Sequence, residues 1–109
     1  MDFSLEAIYD EAKNRWAVTL TGEVDIFSSP ELKARLNALL QEKQTDLAID
    51  CKNLEYLDST ALGALVGVLK NVKACGGEMR LSHIRPNLLK LFRITNLDKV
   101  FVIEGDENE

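Results

Sequence analysis

Three polar side chains stand in a row at the start of the segment LDSTALGALVGVLKNV, residues 57–72. Asp58, Ser59 and Thr60 each carry an oxygen that can accept a hydrogen bond from a free N–H group in the first turn of a helix. One cap is enough, and on frequency alone we expect Ser59 to supply it. A hydroxyl can also accept a phosphoryl group, whose charge a helix N-terminus tolerates. Ser59 is therefore a candidate both for a helix cap and for a binding switch.

The segment after Ser59 is typical of a helix that ends near Cys75, where two glycines follow. One apolar stripe at helical spacing should face the sheet. Its members are Leu62, Leu65, Val66, Leu69 and Val72. A second, shallower apolar face should be formed by Ala61, Ala64 and Val68.

Gly63 and Gly67 stand four residues apart and so clear one side of this helix of side chains. Each glycine costs a helix interior about 1 kcal/mol relative to alanine, so a compensating close approach is expected. The approaching group is either another part of the domain or a partner protein, and the residues alone leave both open.

The sequence lacks the common motifs of catalytic sites. It contains no GxGxxG, P-loop, HExxH or GxSxG pattern. The sole histidine, His83, has no cysteine or acidic partner arranged around it, which favours a surface or capping role. Cys51 and Cys75 form no CxxC pair and are typical of reduced, buried or half-buried thiols. We therefore expect no enzyme activity, no metal site and no cofactor.

The charge and hydropathy of the chain indicate which classes of partner it can bind. The formal charge is −5, from 18 acidic and 13 basic residues, which argues against a nucleic-acid surface and favours a protein partner. The longest apolar run, ALGALVGVL, is far shorter than the roughly 20 residues of a membrane span. The N-terminus carries acidic residues where an export signal would be positive, so we expect a cytoplasmic protein that does not bind membranes.

The elements that must position Ser59 follow from periodicity. Residues 3–9 and 15–21 alternate as a β-hairpin. Ser28 and Glu31 are spaced as a capping box, with Pro30 at the first turn of a helix. We expect helices at about 29–43, 59–75 and 87–95, and further strands at 46–50, 78–82 and 99–103, with Asn96 left-handed after the last helix.

The order is β-β-α-β-α-β-α-β, which predicts one α/β domain across residues 1–109. Its sheet should be mixed, with about five strands, and three to four helices should cover it. Residues 5–103 should form the core of the domain, and the acidic tail 104–109 should be flexible.

Four segments of the chain resemble a known family. LTGEVDIFSSPELKARL, the stretch LAIDCKNLEYLDSTALGALVGVLKNVKACGGEMRLSHI, RPNLLKLFRITNLDKVF and VFVI occur in the order and spacing of bacterial STAS domains of the anti-sigma factor antagonist type. The resemblance covers about residues 5–103. It departs from the family pattern at Ala61, where the motif has its first glycine, and at Asn96, where many members have glycine; Gly63 keeps the second glycine.

The resemblance implies a partner-switching protein that is free as a monomer. The residue that the family phosphorylates falls on Ser59, with Thr60 as a secondary acceptor at best. Asp58 matches the aspartate of the acceptor motif, and Asp25 matches an aspartate that helps the kinase interaction. The partners implied are an ATP- or ADP-bound serine/threonine kinase that is also an anti-sigma factor, and a phosphatase. The glycines and the Ala61, Ala64 and Val68 face would lie against that kinase.

Two alternatives remain open. The first is a STAS subunit of a membrane-transport or stress-signalling assembly that is never phosphorylated and binds a fixed partner. The second is a small-ligand or nucleotide-binding domain or an enzyme, although the sequence has no loop of the kind that cradles a phosphate.

Overall fold

A β-hairpin opens the chain in the computed structural model, which describes residues 2–104. Strand β1 spans Phe3–Asp10 and strand β2 spans Arg15–Val24, and they pair antiparallel with Leu5 opposite Leu20. Alternate side chains of β2 are buried, as the period-two pattern predicts. The predicted hairpin is confirmed, and β2 runs three residues farther than expected.

Helices and parallel strands alternate after the hairpin. The elements are α1 (Ser29–Glu42), β3 (Asp46–Asp50), β4 (Leu54–Leu57), α2 (Ser59–Ala74), β5 (Met79–Ser82), α3 (Pro86–Ile94) and β6 (Val102–Glu104). The sheet order is β1-β2-β3-β5-β6, and every pair except the hairpin is parallel. The predicted α/β domain with a mixed sheet and three helices is confirmed.

Strand β4 is a sixth strand that the sequence pattern did not reveal. It pairs parallel with the end of β2, with Leu57 opposite Val24, beyond the point where β3 leaves that strand. The register shifts just after Gly22, whose φ of +103° suits glycine, and a Cβ there would collide with the carbonyl oxygen of Asp2. The short strand ends at Leu57, so Asp58 follows directly at the carboxyl end of β4.

The C-terminal region differs from the expected strand at 99–103. A 3-10 helix occupies Leu97–Lys99, and the strand begins only at Val102. Asn96 is left-handed, with φ of 62°, as expected. The buried Phe101 packs edge-on against the ring of Phe92, with 5.6 Å between the two ring centroids. This contact places the residue directly before β6 in the core. Of the predicted flexible tail, Glu104 ends β6, and 105–109 lie outside the described residues.

Candidate functional site

Two loops meet at one edge of the sheet. The loop after β2 begins at Asp25, and the chain after β4 continues into Asp58. Because β2 and β4 are parallel neighbours, their carboxyl ends lie side by side. The Asp58 N–H donates to the carbonyl of Val24 at 3.3 Å, and the Ile26 N–H donates to Asp58 Oδ2 at 3.0 Å. The structure therefore brings the two predicted aspartate loops together.

Asp58 is the cap of helix α2. Its backbone is extended, and its Oδ1 accepts a hydrogen bond from the Ala61 N–H at 2.8 Å. The expectation that Ser59 caps the helix is wrong, because the Asp58 carboxylate already satisfies the free N–H group that a serine hydroxyl would reach. Ser59 is the first helical residue, and it is exposed. Within the described chain neither its hydroxyl nor that of the exposed Thr60 has a hydrogen-bond partner.

Asp25 organises the neighbouring turn. Its Oδ1 accepts from the N–H groups of Phe27 and Ser28, both at 3.0 Å, and from the Ser28 hydroxyl at 3.1 Å. Partial burial raises the pKa of Asp25, but the hydrogen bonds from Ser28 and Phe27 outweigh that effect, so the pKa lies below its ordinary value. The carboxylate is thus ionised and holds its own turn.

The predicted capping box at the start of α1 is wrong. The Ser28 hydroxyl accepts from the Asp25 N–H at 3.0 Å and donates to the Asp25 carboxylate, and so it makes no cap bond to the helix. Glu31 faces solvent within 3.9 Å of Arg35, one turn along. The residues with capping spacing therefore serve the turn that borders Asp58.

Two large apolar side chains that were not predicted as site residues are exposed on this turn. Phe27 is 89% exposed and Ile26 is 56% exposed. A signal was available in the sequence, because an adjacent apolar pair between a turn residue and a helix start has no periodic partner to bury it.

The predicted apolar stripe of helix α2 is confirmed, and its predicted second apolar face is wrong. Four members of the stripe are buried and Val66 is half-buried. Ala61 and Val68 are also fully buried, so the predicted shallow face of Ala61, Ala64 and Val68 does not exist as a surface. Ala64 is half-buried. The physical reason is that α2 packs against α1 and also contributes its apolar stripe to the common core of the domain.

The two glycines of α2 have different surroundings. A Cβ at Gly67 would come within 2.9 Å of Lys33 Cε, near the end of an exposed and flexible side chain on α1. A Cβ at Gly63 would meet nothing within 4 Å, and Gly63 is exposed. Gly67 therefore lies under the flexible Lys33 side chain of α1, whereas Gly63 faces open space.

The other candidate residues lie apart from Ser59. His83 Nδ1 is 3.1 Å from Asp50 Oδ1, so the histidine does have an acidic partner, contrary to expectation, and both are exposed enough to contact water. Cys51 is buried, and burial together with the charge of Asp50 raises its thiol pKa to about 12, whereas Cys75 is exposed rather than half-buried. Among residues 2–104, no three His, Cys, Asp or Glu side chains group as a metal site would require. No helix of that part of the chain is long and apolar enough to span a membrane.

Comparison with known proteins gives consistent matches. The family model of the STAS domain matches residues 7–109. The anti-sigma-B factor antagonist of Bacillus subtilis is 40% identical over 93 residues, which cover 85% of this chain and 84% of that protein.

Solved structures share the fold. A crystal structure of an anti-sigma factor antagonist from Mycobacterium paratuberculosis superposes with a TM-score of 0.76 at 22% identity, covering 94% of this chain and 86% of that one. The phosphorylated form of the Bacillus cell fate determinant SpoIIAA superposes with a TM-score of 0.69 at 22% identity, covering 98% and 95%. At such identities these two likenesses concern the fold alone.

Proposed function

Because the chain belongs to the STAS domain family, we propose that it is an anti-sigma factor antagonist that works by partner switching. In its unphosphorylated form it binds an ATP- or ADP-bound anti-sigma factor that is also a serine/threonine kinase, and a sigma factor is released. Phosphorylation of Ser59 ends the binding, and a phosphatase restores it. On this proposal the chain is a substrate and a binding module and catalyses nothing itself.

The exposed hydroxyl of Ser59 is the observation that carries the proposal. Asp58 caps α2 with its own carboxylate, so the fold does not need the serine oxygen. A residue at the first position of a helix, exposed and with no hydrogen bond to break, can enter a kinase active site without local unfolding. Thr60 is also exposed, but it lies one residue farther from the aspartate and is at most a secondary acceptor.

The local electrostatics explain why a phosphate would act on the interface and leave the fold intact. The N–H groups of Ser59 and Thr60 remain after Asp58 has taken that of Ala61, and they favour an anion at this helix end. The phosphate brings about −1.5 to −2 charges beside Asp58 and the ionised Asp25. A partner surface that fits the neutral serine then meets extra volume and a strong local negative charge.

The proposed contact surface, here called the Ser59 surface, combines the two loops and the exposed side of α2. It consists of Asp25, Asp58, Ser59, Thr60, Gly63 and Ala64. Ala61 is left out because it is buried, and Gly67 because Lys33 lies over it. Ser59 and Gly63 are four residues apart and so lie one above the other on the helix, which lets a partner approach the backbone closely there.

The experiment is a capture from native cell extract with added ATP or ADP, using wild type, Ser59→Ala and Ser59→Asp as baits. Gln44→Glu is the matched control, because it adds one negative charge beside Cys75, at the far end of a helix about 24 Å long. The phosphorylated residue is located by mass spectrometry, and circular dichroism establishes that every bait is folded.

We expect wild type, Ser59→Ala and Gln44→Glu to retain one ATP-binding kinase, which Ser59→Asp loses. Only baits with Ser59 should gain phosphate at that residue. If all four folded baits retain the same protein and no phosphate appears, the switch is refuted and the alternative holds, namely a STAS subunit with a fixed partner in a transport or stress-signalling assembly.

A further inference from the structure

The turn between β2 and α1 exposes two large apolar side chains, those of Ile26 and Phe27. Phe27 is the most exposed large apolar side chain among residues 2–104. Burial of such a side chain is favourable, and the described part of the domain does not bury it. A single exposed apolar residue is common on monomeric proteins, and Phe27 differs from such a residue in how its turn is built and in where the turn lies.

The turn holds Phe27 in one backbone arrangement. The Phe27 and Ser28 N–H groups both donate to Asp25 Oδ1, and the Ser29 N–H donates to the Asp25 carbonyl at 2.8 Å. The helix α1 then starts at once. An aromatic ring on a fixed backbone loses little conformational entropy when a partner binds it, and this is the property of an anchor residue.

The turn is also continuous with the Ser59 surface. The Ile26 N–H donates to Asp58 Oδ2, and Asp58 is the residue directly before Ser59. The turn therefore borders the surface that a protein enclosing the Ser59 hydroxyl would cover. The Asp58 carboxylate, which accepts from both Ile26 and Ala61, fixes the position of the apolar turn relative to the helix start.

We infer that Phe27, flanked by Ile26, is a docking anchor that inserts into an apolar pocket of the kinase that phosphorylates Ser59. This inference rests on the function proposed above. Phe27 is a positioning and specificity residue: its ring binds the partner and does not touch the reacting phosphoryl group. It should therefore govern how tightly the kinase holds this substrate and leave the rate of transfer on the bound complex unchanged.

The test measures ADP-dependent binding and ATP-dependent phosphorylation with the purified kinase captured by wild type in the preceding experiment. The variants are Phe27→Ala, Phe27→Leu and Ser59→Asp. The matched control is Ile8→Ala, which removes a side chain that is 73% exposed and lies opposite Ala17, about 23 Å along β2 from Val24. Urea unfolding should leave all the variants near wild type, because each altered side chain is exposed.

We expect Phe27→Ala to weaken binding and raise KM by about tenfold or more, with kcat kept within about twofold. Phe27→Leu should stay within about threefold of wild type, and Ile8→Ala should match wild type. If Ser59→Asp loses the kinase while Phe27→Ala keeps the wild-type KM, the anchor is refuted and the switch stands.

Two further results would also overturn the anchor. If Phe27→Ala abolishes a homodimer in sedimentation and leaves KM unchanged, the ring belongs to a contact between copies of this chain. If wild type binds no kinase and is not phosphorylated, both the proposed function and the anchor fail.

Discussion

Replacement of Asp58 tests whether helix capping and the switch are carried by adjacent but separate residues. Asp58→Ala removes the acceptor for the Ala61 N–H, and loss of a cap costs about 0.5–2 kcal/mol. It also removes the acceptor for the Ile26 N–H, a bond worth about 0.5–1.5 kcal/mol. The two losses together predict about 2 kcal/mol of lost unfolding free energy, which lowers Tm by roughly 10 °C for a domain of this size.

Two companion variants separate the contributions. Asp58→Asn keeps one oxygen for the cap but presents an amide group to the other N–H donor, so we expect a loss of about 1 kcal/mol. Ser59→Ala removes an exposed hydroxyl that has no hydrogen-bond partner in residues 2–104, so we expect a change within about 0.5 kcal/mol.

Urea unfolding followed by circular dichroism at pH 7 measures all three variants, and amide exchange reports on the Ala61 and Ile26 N–H groups directly. Both amides should exchange faster in Asp58→Ala. If Ser59→Ala costs 1 kcal/mol or more while Asp58→Ala costs less than about 0.5 kcal/mol, then the serine is the cap. The Ser59 hydroxyl would then not be free for phosphorylation.

Three other properties follow from the structure. With a thiol reagent at pH 8, the exposed Cys75 should react within minutes. Burial raises the thiol pKa of Cys51 to about 12, so Cys51 should react only as fast as the domain opens. Equal reaction rates of the two thiols would contradict the burial of Cys51. The pKa of Asp25 in the folded protein is lowered from 3.8, so its ionised form stabilises the fold above pH 3.8. The excess of the wild-type unfolding free energy over that of Asp25→Asn should disappear as the pH falls through the folded-state pKa. An excess that grows on acidification would contradict the lowered pKa. Gly63→Ala should raise the unfolding free energy by about 0.5–1 kcal/mol, while Gly22→Ala, at positive φ against a carbonyl oxygen, should lower it by about 1–3 kcal/mol.

The sequence predicts the long periodic elements well because their signal repeats. Helix α2 has four and a half turns, so its apolar stripe is sampled several times and its end is marked by two glycines. Strand β4 offers only four residues, of which Leu54 and Leu57 are buried, and so few positions define no period. Its existence depends on β2 extending past β3, which is a property of the sheet and not of residues 54–57.

The details of the site depend on contacts that are distant in the chain. Asp58 and Ile26 are 32 residues apart, so no local pattern shows that one carboxylate both caps a helix and binds a turn. Periodicity also cannot tell which apolar residues of α2 meet another helix and which meet solvent. Ala61 and Val68 are therefore assigned to an open face by the sequence and are found in the core.

Gly63 connects the stability of the domain with its proposed role. Glycine at an ordinary helical position costs about 1 kcal/mol, and nothing within 4 Å of a Cβ there would compensate this cost in the isolated domain. Gly67 on the same helix does have a neighbour, the flexible end of the Lys33 side chain of α1. The position that lacks one is the position one turn above Ser59, between the free hydroxyl and the half-buried Ala64. Gly63 therefore lowers the stability of α2 in the isolated domain at the point where the proposed kinase would approach the helix backbone beside Ser59.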